Sequence, residues 1–355
     1  MATRRTVLAA GAVAVAGAGV PAAAVPAAAV SAAAWDGKPG SGAGPVHDEP
    51  LGIAMEGYPS PFPVRFLRLV IEGETVNMAY VGIAPRGEPT GWTVVLLHGK
   101  NFDGGAWEPT ARAFAAAGHR VVVPDQIGFG RSSKPALGHY SFELLAANTV
   151  ALLDHLGVER ADVVGHSMGG MLAVRFALEH PGRARELVLA NPVGLEGYRE
   201  FVPVLPTRRL FADEPAGTDL DAIRAFYRAY VVRWRAAYER NVEIRHRITL
   251  SSEYPRWAMA SALTYQMAYH QPVVADLPRP RLPVLLVIGQ EDRTAIGKTY
   301  AAPEDRARLG NYPVLGRRAA TAIRGARLVE FDGTGHLPHL ERGARFEREV
   351  LGFLR

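Results

Sequence analysis

Ser167 stands in Gly165-His166-Ser167-Met168-Gly169-Gly170, with a glycine two positions to either side. An apolar run, 161–164, precedes it, and 171–178 after it has the apolar spacing of a helix. A serine held this way between a strand and a helix has the pattern of a nucleophile elbow. The turn is tight enough that side chains at 165 and 169 would meet neighbouring backbone. The helix that follows directs free N–H groups and the positive end of its dipole at the serine.

A serine hydroxyl is a weak nucleophile at neutral pH, so it needs a base within hydrogen-bond reach and a group that orients the base. The chain has eleven histidines. His336, in Asp332-Gly333-Thr334-Gly335-His336, follows a predicted strand and precedes the last predicted helix. The carboxyl ends of parallel strands are where open α/β sheets carry functional side chains. His339 is the second candidate. His166 adjoins the serine but leaves the elbow in another direction, and His98 is better placed to support the loop after it. The orienting acid is expected after the run 284–288, where Gly289-Gln290-Glu291-Asp292 offers Glu291 or Asp292. Asp292 would accept the imidazole Nδ1–H and stabilise the imidazolium. Asp125 opens Asp125-Gln126-Ile127-Gly128-Phe129-Gly130-Arg131-Ser132, which reads as a structural loop. The oxyanion of a tetrahedral intermediate would be held by the Met168 N–H and by the Lys100 N–H, with Asn101 the alternative to Lys100.

The elements that must position these groups follow from the pattern of apolar residues. Segments 64–71 and 75–83 read as a β-hairpin. Short apolar runs at 93–98, 120–124, 162–165, 186–190, 284–288 and 326–331 read as strands, most of them buried on both faces. Helices are expected at 107–117, at 142–156 with Ser141 as N-cap, from the elbow to His180, and at 338–354. Eight strands alternating with helices imply a mainly parallel sheet covered on both sides, an α/β fold. The alternation breaks after the sixth strand. Residues 194–280 look helical, with candidates at 220–240 and 255–270, and hold seven of the twelve tyrosines together with Trp234 and Trp257. This segment has the make-up of a helical lid over an apolar substrate pocket.

Taken together and in this order, His98-Gly99, the loop 125–132, the elbow, Gly289-Gln290-Glu291-Asp292 and Gly335-His336 resemble the α/β-hydrolase superfamily across 64–355. The resemblance implies an eight-stranded sheet, Ser167 as nucleophile, Asp292 as acid, His336 as base, and the Lys100 and Met168 N–H groups as oxyanion donors. The implied activity is hydrolysis of a carboxylic ester or lactone through an acyl-enzyme. Relatives with this triad also cleave amides at peptide N-termini, hydrolyse C–C bonds or form peracids. A non-catalytic binding protein on the same scaffold is the reading from another class. A serine at the elbow argues against dehalogenation and epoxide opening, which use a carboxylate there. Lys100-Asn101-Phe102 departs from the family pattern. The chain has only four lysines, Lys38, Lys100, Lys134 and Lys298, and the Lys100 cation would either attract an acidic substrate group or point into solvent. The stretch 293–322 is a second departure, expected at the pocket rim.

Composition narrows the remaining choices. At 355 residues with a net charge of +5 and no basic block, nucleic acid is not an expected partner. The absence of cysteine excludes disulfides, a thiol nucleophile and thiolate metal sites. No metal or cofactor is expected: no histidine/carboxylate cluster stands at ligand spacing, and Gly128-Phe129-Gly130 lacks the third glycine of a dinucleotide fingerprint. The partner is a small, partly apolar substrate. Residues 1–34, with Arg4-Arg5 before a long alanine/valine/glycine run, resemble a twin-arginine signal peptide. Export to the periplasm or beyond is therefore expected, with cleavage after Ala34 or Ala24. The glycine- and proline-rich stretch 35–63 reads as a linker and lead-in with no core of its own.

Overall fold

The computed structural model describes residues 47–136, 138–214 and 218–354; the segment 1–34, expected to be a signal peptide, lies outside them. In chain order, the sheet strands are β1 (Arg65–Ile71), β2 (Glu74–Ile83), β3 (Thr93–Leu97), β4 (Arg120–Pro124), β5 (Ala161–His166), β6 (Ala184–Ala190), β7 (Val284–Gly289) and β8 (Arg327–Phe331). They form one sheet of eight strands in the order β1-β2-β4-β3-β5-β6-β7-β8. The β1–β2 and β2–β4 pairs are antiparallel and the others parallel.

The central strands read as continuous apolar runs because helices cover both faces. Successive residues point to opposite sides of the sheet. Leu97, Val163, Leu187 and Leu286 pack on one side, with residues of α2 (Phe142–His155), α3 (Met168–Glu179) and α9 (Tyr312–Ala322). Leu96, Val164, Val188 and Val287 pack on the other, with α1 (Glu108–Ala116) and α11 (Gly343–Leu351). Each such side chain contributes about 1.5–3 kcal/mol by leaving water. Ser141 caps α2, its Oγ accepting from the Leu144 N–H at 3.1 Å.

Between β6 and β7 the chain leaves the sheet for a helical insertion: α4 (Thr207–Asp213), α5 (Leu220–Arg228), α6 (Glu239–Thr249) and α7 (Tyr254–His270). Four expectations change here and elsewhere. The segment 220–240 is not one helix. After Arg228 the chain leaves helical geometry, because the Tyr230 carbonyl accepts from the His336 N–H at 2.7 Å and the Val232 N–H donates to Glu341 Oε2 at 2.8 Å. The segment 338–354 breaks at Arg342 into α10 (Pro338–Glu341) and α11. The first turn of 107–117 is preceded by a 3₁₀ turn, Gly104–Trp107, capped by Asp103. Finally, the described part of the lead-in is packed. Leu51, Ile53 and Met55 are buried against Ile244 and Ile248 of α6, and the Arg131 guanidinium holds the Met55, Tyr58 and Pro59 carbonyls. Its glycines and prolines hide a few apolar residues that find a partner only across the fold. The stretch 293–322 contains α8 (Pro303–Arg306) and α9, with 293–300 bordering the cavity described below. No helix among the described residues is long and apolar enough to cross a membrane.

Candidate active site

Parallel pairing brings the carboxyl ends of five strands to one edge. Leu97 of β3 pairs with Gly165 of β5, and His166 with Ala190 of β6. Gly99, Ser167 and Asn191 therefore emerge side by side, and Asp292 and His336 follow β7 and β8.

The elbow explains its own glycines. Ser167 has φ 56° and ψ −120°, a left-handed setting that costs of order 1–3 kcal/mol for a residue with a side chain. A Cβ at Gly165 would lie 2.2 Å from the Gly169 carbonyl oxygen, and one at Gly169 would lie 2.3 Å from that of Leu97. Neither position can carry a side chain while the backbone holds this path. The strained geometry is secured by the Ser167 N–H donating to the Ala190 carbonyl at 3.1 Å.

Ser167, His336 and Asp292 form one hydrogen-bonded chain. His336 Nε2 lies 2.9 Å from Ser167 Oγ and His336 Nδ1 lies 2.6 Å from Asp292 Oδ2. All three residues are buried. Of the two acids open at this turn, Glu291 is exposed and Asp292 faces inward. The second oxygen of Asp292 accepts from the Thr294 N–H at 2.8 Å.

The other histidines take different places. Nε2 of His166 bonds the His336 carbonyl at 2.9 Å, so it carries the hydrogen and ties the base to the elbow. Burial, then the neighbouring His339 and His336, hold the His166 pKa well below its ordinary value. His339 packs on Trp107, with ring centroids 4.3 Å apart, and burial together with His336 lowers its pKa to about 3. It is neutral at physiological pH and makes no hydrogen bond to Ser167. His98 Nε2 accepts from the Gln126 N–H at 3.1 Å, so its Nδ1–H donates to the Gly99 carbonyl at 2.9 Å, bracing the loop that carries Lys100. Asp125 braces the same loop, accepting from the Gly104 and Arg131 N–H groups at 2.6 and 2.8 Å.

The main-chain N–H groups of Lys100, Asn101 and Met168 have no acceptor among the described residues. These three residues and Ser167 border a cavity of about 540 Å³. Its walls are largely apolar, with Val193, Phe226 and Tyr230 beside the serine. The Lys100 side chain does not point into solvent. It turns into the protein, where Nζ donates to Ser261 Oγ of α7 at 3.0 Å. Among the described residues no group of three histidines, aspartates or glutamates is placed to hold a metal.

Asn191 escaped the reading of the sequence. It is fully buried at φ 39°, donates Nδ2 to Asp292 Oδ2 at 2.7 Å, and accepts the Gly289 N–H on Oδ1 at 2.9 Å. The one available signal was its place directly after β6, at the edge where functional groups gather. Asn191→Ala leaves the Gly289 N–H unpaired and Asp292 short of a donor. It is expected to cost about 1–3 kcal/mol in urea denaturation and to lower kcat as Asp292 loses its setting. Unchanged stability and rate would show that Asn191 does not hold the acid.

The profile of the alpha/beta hydrolase fold family matches residues 93–343. A 2-hydroxy-6-oxononadienedioate/2-hydroxy-6-oxononatrienedioate hydrolase of Burkholderia vietnamiensis is 29% identical over 296 residues, covering 82% of this chain and 95% of the relative. A 2-hydroxy-6-oxo-6-phenylhexa-2,4-dienoate hydrolase of Comamonas testosteroni is 28% identical over 75% of this chain and 88% of its own. Among solved structures, a probable hydrolytic enzyme from Pseudomonas aeruginosa PAO1 is 43% identical with a TM-score of 0.85, covering 87% of this chain and all (100%) of that one. The matched span contains β3 through α10 and every residue of the Ser167-His336-Asp292 chain, and the protein is a member of the alpha/beta hydrolase fold family of enzymes.

Proposed function

We propose that this enzyme is a serine hydrolase that cleaves a carboxylic ester or lactone through an acyl-enzyme. The observation that carries the reading is the hydrogen-bonded chain from Ser167 Oγ through His336 to Asp292. Ser167 Oγ attacks the carbonyl carbon as His336 Nε2 takes its proton, and Asp292 stabilises the imidazolium. The oxyanion is received by the Met168 and Lys100 N–H groups, each worth about 10²- to 10³-fold in rate. His336 then protonates the leaving alkoxide. A water attacks the acyl carbon, giving its proton to His336, which returns it to Ser167 as the acid departs. The helical insertion acts as a lid, its Phe226 and Tyr230 offering an apolar wall to one arm of the substrate.

A second reading rests on the names of the relatives. Their 6-oxo-dienoate substrates contain no ester, so the bond consumed by hydrolysis lies between carbons beside the keto group. The same triad serves if the departing group is a stabilised carbanion that His336 protonates.

A panel of p-nitrophenyl esters, a γ-lactone and a 2-hydroxy-6-oxo-dienoate, run alongside labelling by an alkyl fluorophosphonate, separates the readings. Turnover of esters or the lactone with label on Ser167 is expected. Turnover of the dienoate alone would replace ester cleavage by the second reading. Neither turnover nor label in folded protein would overturn both.

A further inference from the structure

A second, smaller cavity of about 60 Å³ lies beside the first, and Lys100 and Asn101 line both. That is room for a carboxylate or a couple of waters. Several charged and polar side chains gather at its wall, among them Lys100, Asp103, Asn241 and Arg245. Lys100 spends one N–H on Ser261 Oγ, which donates in turn to Glu214 Oε1 at 2.5 Å. Arg245 of α6 donates to Glu214 Oε2 at 2.6 Å and lies over the Trp257 ring at 3.8 Å. Asn241, also of α6, is 9% exposed and borders the cavity, and among the described residues its side-chain amide has no hydrogen-bond partner. The amide is therefore available to a group that enters the cavity.

The charges do not balance. Asp103, which also lines the space, is matched by Arg240 at 2.9 and 3.1 Å. Lys100 and Arg245 share the single carboxylate of Glu214, so one positive charge is left over. Burial alone would raise the Glu214 carboxyl, but Arg245 and then Lys100 hold it below its ordinary value, and it is ionised.

We propose that this cavity is an anion-binding arm of the active site, which takes a short carboxylate-bearing branch of the substrate while the apolar arm lies in the larger cavity. Lys100 joins the two functions. Its main-chain N–H faces the reacting carbonyl, and its ammonium, one side-chain length away, presents two unspent donors to the carboxylate, with the Asn241 amide as a third partner. The preferred substrate then carries an acidic group a few bonds from the scissile carbonyl. Burial, opposed by Glu214 and reinforced by Arg245, lowers the Lys100 pKa to about 8. These are the charged groups facing it, from the end of α4 and from α6. The acid preference is therefore present below about pH 8 and fades as pH rises through that value, while a substrate carboxylate stays ionised throughout.

The proposal rests on the acyl-enzyme reading, and its test separates the two. Two fluorophosphonates are compared, one with an n-butyl arm and one with a carboxypropyl arm. In each, the Ser167 Oγ–phosphorus bond forms as the P–F bond breaks, and the serine proton passes to His336. The ratio of the two labelling rates cancels any pH dependence that both reagents share. The acidic reagent is expected to react at least roughly tenfold faster at pH 7, equivalent to about 1.4 kcal/mol. Lys100→Met and Asn241→Leu should each bring the ratio close to one, and in the unaltered enzyme the ratio should fall as pH passes 8. Equal rates in the unaltered enzyme, or a preference surviving in both variants, would overturn the anionic arm and leave the acyl-enzyme standing. No labelling by either reagent would overturn both. A thermal melt of each variant establishes that it is folded, and Asn241→Leu decides the matter if Lys100→Met is not.

Discussion

Ser167→Ala is expected to lower kcat by roughly 10⁴- to 10⁶-fold, the range found when a triad serine is removed, while the protein stays folded. The alanine must occupy the same left-handed backbone, φ 56°, and that path is secured by bonds from its own N–H to Ala190 and from the Gly170 N–H to its carbonyl at 2.9 Å. None of these uses the hydroxyl. Among the described residues the hydroxyl's one partner is His336 Nε2, so the variant removes the proposed nucleophile and one hydrogen bond. Residual rate above the uncatalysed reaction, about 10³- to 10⁴-fold, comes from the oxyanion donors and substrate binding. Saturation kinetics with a p-nitrophenyl ester, beside a melting curve, checks both halves. A folded variant with more than a few per cent of the parent kcat would mean that another group attacks.

Asp292→Asn is expected to cost about 10⁴-fold in kcat, with little change in KM, because it disturbs the tautomer of the base rather than the binding of substrate. The surroundings leave an amide no good orientation. Oδ2 accepts from both His336 Nδ1 and Asn191 Nδ2, and Oδ1 accepts from the Thr294 N–H. An amide nitrogen at the first position faces two donors. His336 can escape only by moving its hydrogen to Nε2, which then points at Ser167 and can no longer take its proton. An amide nitrogen at the second position opposes the Thr294 N–H. Stopped-flow acylation rates measure the effect directly. An Asp292→Asn enzyme that acylates within tenfold of the parent would show that His336 is oriented by something else.

The reach of sequence reasoning differs from residue to residue. Ser167 was legible because its glycines are a local steric demand, settled within five positions. His336 and the turn at 289–292 were legible because each follows a strand whose apolar run is itself readable. Asn191 was not, since a lone asparagine after a strand carries no sign of its partner 101 positions away. The helix expected at 220–240 failed for the same reason. Its apolar spacing is helical, but the Tyr230 carbonyl and Val232 N–H are claimed by the loop of His336 and by Glu341. Tertiary hydrogen bonds to a buried loop outweigh the modest propensity of a few residues.

The sequence by itself determined the groups and their frame: a serine on an elbow, a histidine and an acid at strand ends, and a mainly parallel sheet to hold them. Periodicity and backbone sterics act over a few residues, so they survive in the linear order. Only the tertiary structure decided which neighbours those groups have. It chose Asp292 over Glu291 and His336 over His339, supplied Asn191, and turned Lys100 inward against Ser261 and Glu214. Each of those choices depends on strand register and on where the insertion lands, which bring together residues scores of positions apart.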